Sequence, residues 1–271
     1  MRKLIIVLFI SILSIGLVAC GEENDQFGEN GLAKLKVGAT AVPHAEILEE
    51  IKPILEDEGV NLEIIQYQDF VLPNINLSEG EIDANFFQHE PYFESFTAER
   101  KITNLTNVLK VHIEPMGIYS NKIDDLSKLQ KGAQVSIPND PSNMGRALAL
   151  LEKAELITLK EGVGVKGTKE DIISNPYNLD IVLLDAPMLP RSLDDVAIAV
   201  INTNFALQVN LNPTEDALFI ENEESPYANV LTIRTEDLED ERIKKLVKAL
   251  SSDQVRKFIE EKYQGAIVPV F

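Results

Sequence analysis

Residues 35–67 read LKVGATAVPHAEILEEIKPILEDEGVNLEIIQY, and their hydrophobic pattern changes period twice. Leu35–Ala39 and Leu62–Tyr67 are short, largely apolar runs of the kind found in buried strands. Between them, Ala45–Glu58 carries apolar residues at the spacing of one helix face. These apolar residues are Ile47, Leu48, Ile51 and Leu55. A strand, a helix and a strand in this order predict an α/β architecture.

The same alternation continues toward the C-terminus. Further strands are predicted at Asp83–Phe86, Leu109–Ile113, Ile118–Tyr119, Gln134–Ile137, Ile181–Leu184, Val196–Val200 and Asn229–Ile233. Further helices are predicted at Met144–Ala154, Glu239–Leu250 and Ser251–Lys262. Strands that take turns with helices predict mostly parallel sheets.

Two proline-containing segments, Glu114–Gly117 and Ser225–Tyr227, interrupt extended runs. If both segments join the same two lobes, the chain leaves the first lobe once and returns to it once. We therefore expect a bilobed α/β fold. The first lobe would comprise residues 34–115 and 231–271, and the second lobe residues 116–230.

The N-terminus has the pattern of an export signal. Two positive charges precede an apolar run at Leu4–Val18, which is too short to span a bilayer comfortably. The run ends in Leu17-Val18-Ala19-Cys20-Gly21, which resembles the lipobox of bacterial lipoproteins. This predicts a signal peptide at 1–19, lipidation of Cys20 and a flexible tether at 20–33 that reaches roughly 20 Å. The alternative is an ordinary signal peptide, or a signal anchor, that happens to contain a cysteine.

Composition restricts the partners and the chemistry. Cys20 is the only cysteine, so a lipidated chain has no thiol left for a disulfide, a nucleophile or a metal site. The formal charge of −19 (25 minus 44) disfavours nucleic acid as a partner. An anionic lipid surface would also repel this chain, so membrane attachment would depend on acyl chains.

Short motifs that could indicate an enzyme lie in unsuitable surroundings. Gly162–Gly167 satisfies G-x-G-x-x-G, and Asp185 follows about 20 residues later, as in a dinucleotide site. Such a loop should open a long helix, whereas Asn175-Pro176 allows barely two turns. We therefore expect a glycine-rich surface loop. The order Thr168-Lys169 is wrong for a P-loop, and no G-x-S-x-G marks a nucleophile, although a dispersed hydrolytic triad stays open.

Metal ligation is not predicted, and no cofactor is expected. The three histidines, His44, His89 and His112, are far apart in sequence, and none belongs to an H-E-x-x-H pair. Taken alone, His89 reads as a packing or hydrogen-bonding residue.

Six longer motifs are spread along most of the chain. They are GATAVPHAEIL (38–48), DANFFQHEPY (83–92), IPNDPSNMGRAL (137–148), LPRSLDD (189–195), INTN (201–204) and SPYAN (225–229). Together with the lipobox, these motifs and their order resemble the methionine-binding lipoproteins of the NlpA family, the solute-binding components of methionine ABC importers.

The resemblance implies a periplasmic-binding-protein-like fold of type II, in which two α/β lobes joined by two crossover strands close over one amino acid. It implies methionine as the ligand, an ABC permease as the partner and no catalytic activity. Alternatives are the same scaffold tuned to another small amino acid or a methionine-containing dipeptide, an extracytoplasmic enzyme, and an adhesion or signalling lipoprotein.

The resemblance also implies a set of ligand-binding residues. Arg146 would bind the ligand carboxylate, because a guanidinium fork can grip both oxygens. Asn202 and Asn229 would orient the amino and carboxylate ends, since an amide both donates and accepts, and Asn204 is a weaker candidate. The alternatives are a surface arginine and asparagines that cap turns.

Aromatic residues would form the side-chain pocket. Phe70, Phe87, His89 and Tyr92 suit a thioether, because sulfur packs well against ring edges. Without the motif, such a cluster is more often core than pocket. The chain departs from the family at Phe70, where tyrosine is common, at Pro187-Met188, and at Asn210, where glycine is usual.

Overall fold

The computed structural model describes residues 31–222 and 226–271. The predicted signal peptide, the lipidation site Cys20, most of the predicted tether and Ser225 of the second crossing lie outside the described residues.

The larger sheet has six strands in the order β13-β4-β12-β3-β1-β2. They are β1 (Ala33–Thr40), β2 (Val60–Tyr67), β3 (Ala84–His89), β4 (Leu105–Ile113), β12 (Ala228–Arg234) and β13 (Val268–Pro269). Strand β1 pairs in parallel with β2 and β3. Strand β12 lies between β3 and β4 and pairs antiparallel with both.

The smaller sheet has five strands in the order β11-β5-β10-β6-β9. They are β5 (Gly117–Tyr119), β6 (Gln134–Pro138), β9 (Asp180–Leu184), β10 (Ile198–Ile201) and β11 (Phe219–Ile220). A separate ribbon pairs β7 (Thr158–Leu159) with β8 (Ile172–Ser174). Both large sheets mix parallel and antiparallel pairs, so the expectation of mostly parallel sheets is wrong.

Helices cover both sheets. They are α1 (Glu46–Asp57), α2 (Leu72–Glu79), α3 (Glu90–Arg100), α4 (Pro141–Lys153), α5 (Leu189–Ser192), α6 (Thr203–Gln208), α7 (Glu241–Leu250) and α8 (Asp253–Tyr263). The periodicity predicts α1, α4, α7 and α8 but misses α2, α3 and the short helices α5 and α6. Helices α2 and α3 show little separation of apolar and polar faces along 72–79 and 90–100.

Each large sheet has its own hydrophobic core, and the predicted α/β fold with two lobes is confirmed. The chain leaves the larger sheet after Ile113 and returns to it at Ala228. The return comes three residues earlier than the expected boundary at 231. Residues 228–230 belong to the larger sheet because they pair with His89, His112 and their neighbours.

The glycine-rich loop opens no long helix. Gly164–Lys166 forms a single 3-10 turn, and a second short 3-10 turn follows at Lys169–Asp171. A dinucleotide site of the G-x-G-x-x-G type therefore has no helix N-terminus to hold the pyrophosphate. Across the described ranges, no helix combines the length and the apolar character needed to cross a bilayer.

The first core gives a stability prediction. Leu48 lies on α1 with no exposed surface, in the layer that α1 forms with α7 and α8. Leu48→Ala should lower the free energy of unfolding by about 2–5 kcal/mol, because it removes buried methyl groups and leaves a cavity. Urea unfolding would measure the change. Glu49→Ala, on the exposed face of the same helix, should change stability by less than about 0.5 kcal/mol, and equal effects would contradict the assignment of this face to the core.

Candidate ligand-binding site between the lobes

A cavity of about 330 Å³, including the part open to solvent, lies between the two lobes. Every ligand-binding residue predicted from the sequence lines it. The lining residues are Phe70, Phe87, Gln88, His89, Tyr92, Glu114, Asn143, Arg146, Asn202, Thr203, Asn204 and Asn229.

One wall of the cavity is aromatic. Phe70 lies with its ring centroid 6.0 Å from that of Phe87, 5.7 Å from that of Tyr92 and 5.0 Å from that of Phe205 on α6. The Tyr92 hydroxyl donates to the backbone oxygen of Phe70 at 2.8 Å, which ties the loop before α2 to α3. Burial raises the pKa of this hydroxyl, so it stays protonated as a donor. The wall offers ring edges and faces to an apolar side chain.

His89 connects the aromatic wall to the polar side. It caps the N-terminus of α3, where Nδ1 accepts from the backbone N–H of Tyr92 at 3.0 Å. Nε2 therefore carries the proton and donates to Oδ1 of Asn143 at 3.0 Å. Burial and the Arg146 charge lower the pKa of His89 to about 3, so the ring is neutral at physiological pH.

Asn143 is a site residue that sequence reasoning missed, although it lies inside the quoted motif 137–148. Its Oδ1 accepts from His89 of the first lobe and from Nδ2 of Asn202 of the second, the latter at 2.8 Å. Its own Nδ2 donates to the carboxylate of Asp140 at 3.0 Å, which fixes the orientation of the amide. This arrangement leaves Oδ1 of Asn202 buried, with no hydrogen-bond partner among residues 31–222 and 226–271.

Arg146 projects from α4 and is 3% exposed, so the alternative of a surface arginine does not apply. Its Nε and Nη2 pair with the carboxylate of Glu221, and the Nη2 contact is 2.5 Å long. Nη2 also donates to the backbone oxygen of Glu114 at 2.8 Å. The guanidinium carbon lies 4.0 Å from the ring centre of Tyr227.

This pairing differs from the expected fork around a ligand. The Nε–Nη2 edge of Arg146 is occupied by Glu221, so a ligand carboxylate would meet mainly Nη1. The residue nevertheless brings a fixed positive charge to the cavity wall. Nothing in the sequence pointed to Glu221, which lies 75 residues away from Arg146 along the chain.

Asn229 enters the cavity from β12. Its Oδ1 accepts from Nε2 of His44 at 3.0 Å, and His44 Nδ1 in turn accepts from the hydroxyl of Thr40 at 2.7 Å. With Oδ1 held in this way, the amide nitrogen of Asn229 is the group left for the cavity. His44 thus supports a predicted site residue from behind, a role that its place in the motif 38–48 did not reveal.

His44, His112 and Glu114 form a buried cluster, of which Glu114 lines the cavity and the two histidines lie behind it. Oε1 of Glu114 accepts from Nε2 of His112 at 2.8 Å and lies 3.2 Å from Nε2 of His44. Burial lowers the pKa of His44 to about 4 and that of His112 to about 3, and burial raises the pKa of Glu114. Two of the three sequence-distant histidines are therefore neighbours, with groups of a type that can ligate a metal. Sequence separation gave no sign of this.

The arrangement suits binding. Its parts are an aromatic wall, a guanidinium, a carboxylate and amides from both lobes, as a pocket for a small molecule with charged and apolar ends requires. Thr203 carries the one serine- or threonine-type hydroxyl among the lining residues. This hydroxyl donates a hydrogen bond to the backbone oxygen of Pro115.

Comparison with known proteins gives close relatives. The model of the NlpA lipoprotein family matches residues 35–271. The D-methionine-binding lipoprotein MetQ of Escherichia coli (strain K12) is 42% identical over 94% of this chain and 93% of that protein.

Two solved structures agree with this match. A nutrient binding protein from Burkholderia cenocepacia, bound to methionine, has a TM-score of 0.84 and 43% identity over 88% of this chain and 100% of that one. An ABC transporter periplasmic substrate-binding protein from Coxiella burnetii has a TM-score of 0.83 and 43% identity over 87% and 100%. The resemblance drawn from the motifs is confirmed: this chain belongs to the NlpA lipoprotein family.

Proposed function

We propose that this chain is an extracytoplasmic lipoprotein that captures methionine and delivers it to the permease of an ABC importer. The observation that carries the proposal is the cavity between the lobes, where an aromatic wall faces a buried guanidinium and amides from both lobes. Family membership and the methionine bound in the Burkholderia relative support the choice of ligand.

The binding residues we propose are Phe70, Phe87, His89, Tyr92, Arg146, Asn202 and Asn229. The rings receive the thioether, since polarisable sulfur packs favourably at about 5 Å from aromatic carbon. Arg146 attracts the carboxylate through Nη1, and the Asn229 amide nitrogen donates to it. Phe70 contributes no hydroxyl, so the thioether end of the pocket is apolar where a tyrosine would add a polar contact.

Closure of the lobes completes the site. Phe87 and His89 come from β3 of the first lobe, whereas Asn143 and Arg146 come from α4 of the second. The bond from His89 to Asn143 crosses between the lobes, so it can form only when they are close together. A ligand that contacts both sides therefore favours the closed form, which is the form offered to the permease.

Anchoring follows from Cys20. Acylation of this thiol and a tether at 20–33 hold the binding lobes at the outer face of the cell membrane, within reach of the permease. The chain serves as a carrier and not as an enzyme. The second candidate function is binding of another small amino acid or a methionine-containing dipeptide by the same scaffold. The observation that favours it is Phe70, which lacks the hydroxyl of the tyrosine common in the family and so could change ligand preference.

Calorimetry on the purified, ligand-stripped protein tests the proposal. We expect L- or D-methionine to bind with the highest affinity among free amino acids and methionine-containing dipeptides, because the aromatic wall suits a polarisable thioether. A mass spectrum of copurifying small molecules should show the same compound. Tight binding of an unrelated solute with no affinity for either methionine would reject the substrate.

A further inference from the structure

A free amino acid is a zwitterion, and the predicted site residues supply a cation without an anion. Within the described part of the chain, the charged side chains that line the cavity are Arg146 and Glu114, since the His89 ring is neutral. Arg146 answers the carboxylate. Glu114 is therefore the candidate anion that would pair with the ammonium group of the ligand.

Glu114 is held as an acceptor at the first crossing between the lobes. Its side chain is buried, and its Oε1 accepts the Nε2 proton of His112 and lies near Nε2 of His44. These neutral rings and the backbone N–H of Asn204, which also donates to this carboxylate, orient it without placing a formal cation in direct contact with it. The nearby Arg146 directs its hydrogen bonds to Glu221 and to the backbone oxygen of Glu114, not to the Glu114 carboxylate.

Unpartnered atoms in the cavity supply a second, independent observation. Oδ1 of Asn202 is a buried acceptor, and Nδ2 of Asn204 is a buried donor, and neither has a hydrogen-bond partner within the described ranges. Both residues line the cavity and are at least nine-tenths buried. Buried polar groups are rarely left unsatisfied, so these atoms point to a bound molecule that both donates and accepts hydrogen bonds.

We propose that Glu114, together with Oδ1 of Asn202, binds the ammonium group of the ligand and so restricts the site to solutes with a free amine. This inference rests on the proposed function and deepens it. Burial raises the pKa of Glu114, and an ammonium group placed beside it favours the charged carboxylate. Blocking or removing the amine leaves that buried carboxylate without a cation in direct contact, which such a site rejects strongly.

Titration calorimetry with three probes tests this inference on the full chain: L-methionine, the amine-free analogue 4-(methylsulfanyl)butanoate and N-acetyl-L-methionine. Wild type should bind L-methionine about a hundredfold or more tightly than either analogue. Glu114→Gln should weaken methionine binding by about thirtyfold or more, and should change binding of the amine-free analogue by less than about threefold. Glu99→Gln, at an exposed position on α3, is the matched control and should bind as wild type does.

The outcomes separate the two proposals. If Glu114→Gln weakens methionine and the amine-free analogue equally, Glu114 is structural and the inference is overturned while methionine binding stands. Equal wild-type affinity for the two compounds overturns it without any variant, so a misfolded Glu114→Gln protein does not prevent a decision. Failure of wild type to bind methionine overturns the proposed function and this inference together.

Discussion

Replacing Arg146 by alanine should abolish most of the methionine affinity, with a loss of at least about thirtyfold. The guanidinium is the positive charge on the described cavity wall, and a carboxylate that enters without it is buried uncompensated. The same substitution leaves Glu221 without its buried partner, so the free energy of unfolding should also fall by about 3–5 kcal/mol. Calorimetry for binding and urea unfolding for stability measure the two losses separately.

Glu221→Gln is the matched control for that experiment. It disturbs the same buried ion pair but leaves the guanidinium in place on α4. We expect it to lower stability while methionine binding persists within about tenfold of wild type, since the charge that meets the ligand is retained. Arg191→Ala, at an exposed position on α5, should alter neither property. Wild-type affinity in Arg146→Ala would place the carboxylate site elsewhere.

Acid should destabilise this protein through its buried histidines. His112 has its pKa lowered from 6.5 to about 3 by burial, so the folded state holds the neutral ring while the unfolded chain takes up a proton below pH 6.5. Stability from this group is therefore complete above pH 6.5 and is lost as pH falls toward 3. The slope approaches about 1.4 kcal/mol per pH unit for one such histidine.

His112→Gln isolates this contribution. Glutamine can place an amide nitrogen near the former Nε2 and keep the bond to Glu114, but it cannot take up a proton. The free energy of unfolding, measured in urea at pH 7, 6 and 5, should fall less steeply with decreasing pH in the variant. The difference in slope should approach that of one proton, about 1.4 kcal/mol per pH unit. The comparison cancels the surface carboxylates that both proteins share. Identical slopes would mean that His112 is protonated in the folded state or neutral in both states.

Local pattern predicted much of the fold. Helix α1 and strand β2 lie within two residues of their expected bounds, because a helix with one apolar face and a buried strand leave distinct periods in the sequence. Helix α3 was missed, since it buries mainly Tyr92 and Phe96 and shows no continuous apolar face. The direction of strand pairing could not be predicted from local pattern either. The sequence predicts β12 as a strand, but its antiparallel position between β3 and β4 is determined by tertiary contacts.

The cavity residues divide in the same way. Residues carried by motifs, such as Phe87, Arg146 and Asn202, all line one cavity. The partners that orient them, Glu221 for Arg146 and His44 for Asn229, are joined to them only by the three-dimensional fold, across 75 and 185 positions of the chain. The pairing of Glu114 with His44 is equally long-range, so the chemistry of the predicted side chains was visible in the sequence and their hydrogen-bond partners were not.

The place of β12 dictates an order of assembly. Because residues 228–234 fill the gap between β3 and β4, residues 33–113 cannot complete the larger sheet until almost the whole polypeptide is available. A chain emerging N-terminus first would carry β3 and β4 with open edges while the second lobe is still being made, and open edges invite pairing with other chains. The second lobe is continuous in sequence from β5 to β11 and needs no later segment to complete its sheet. It should therefore fold first, and the ligand cavity should form last.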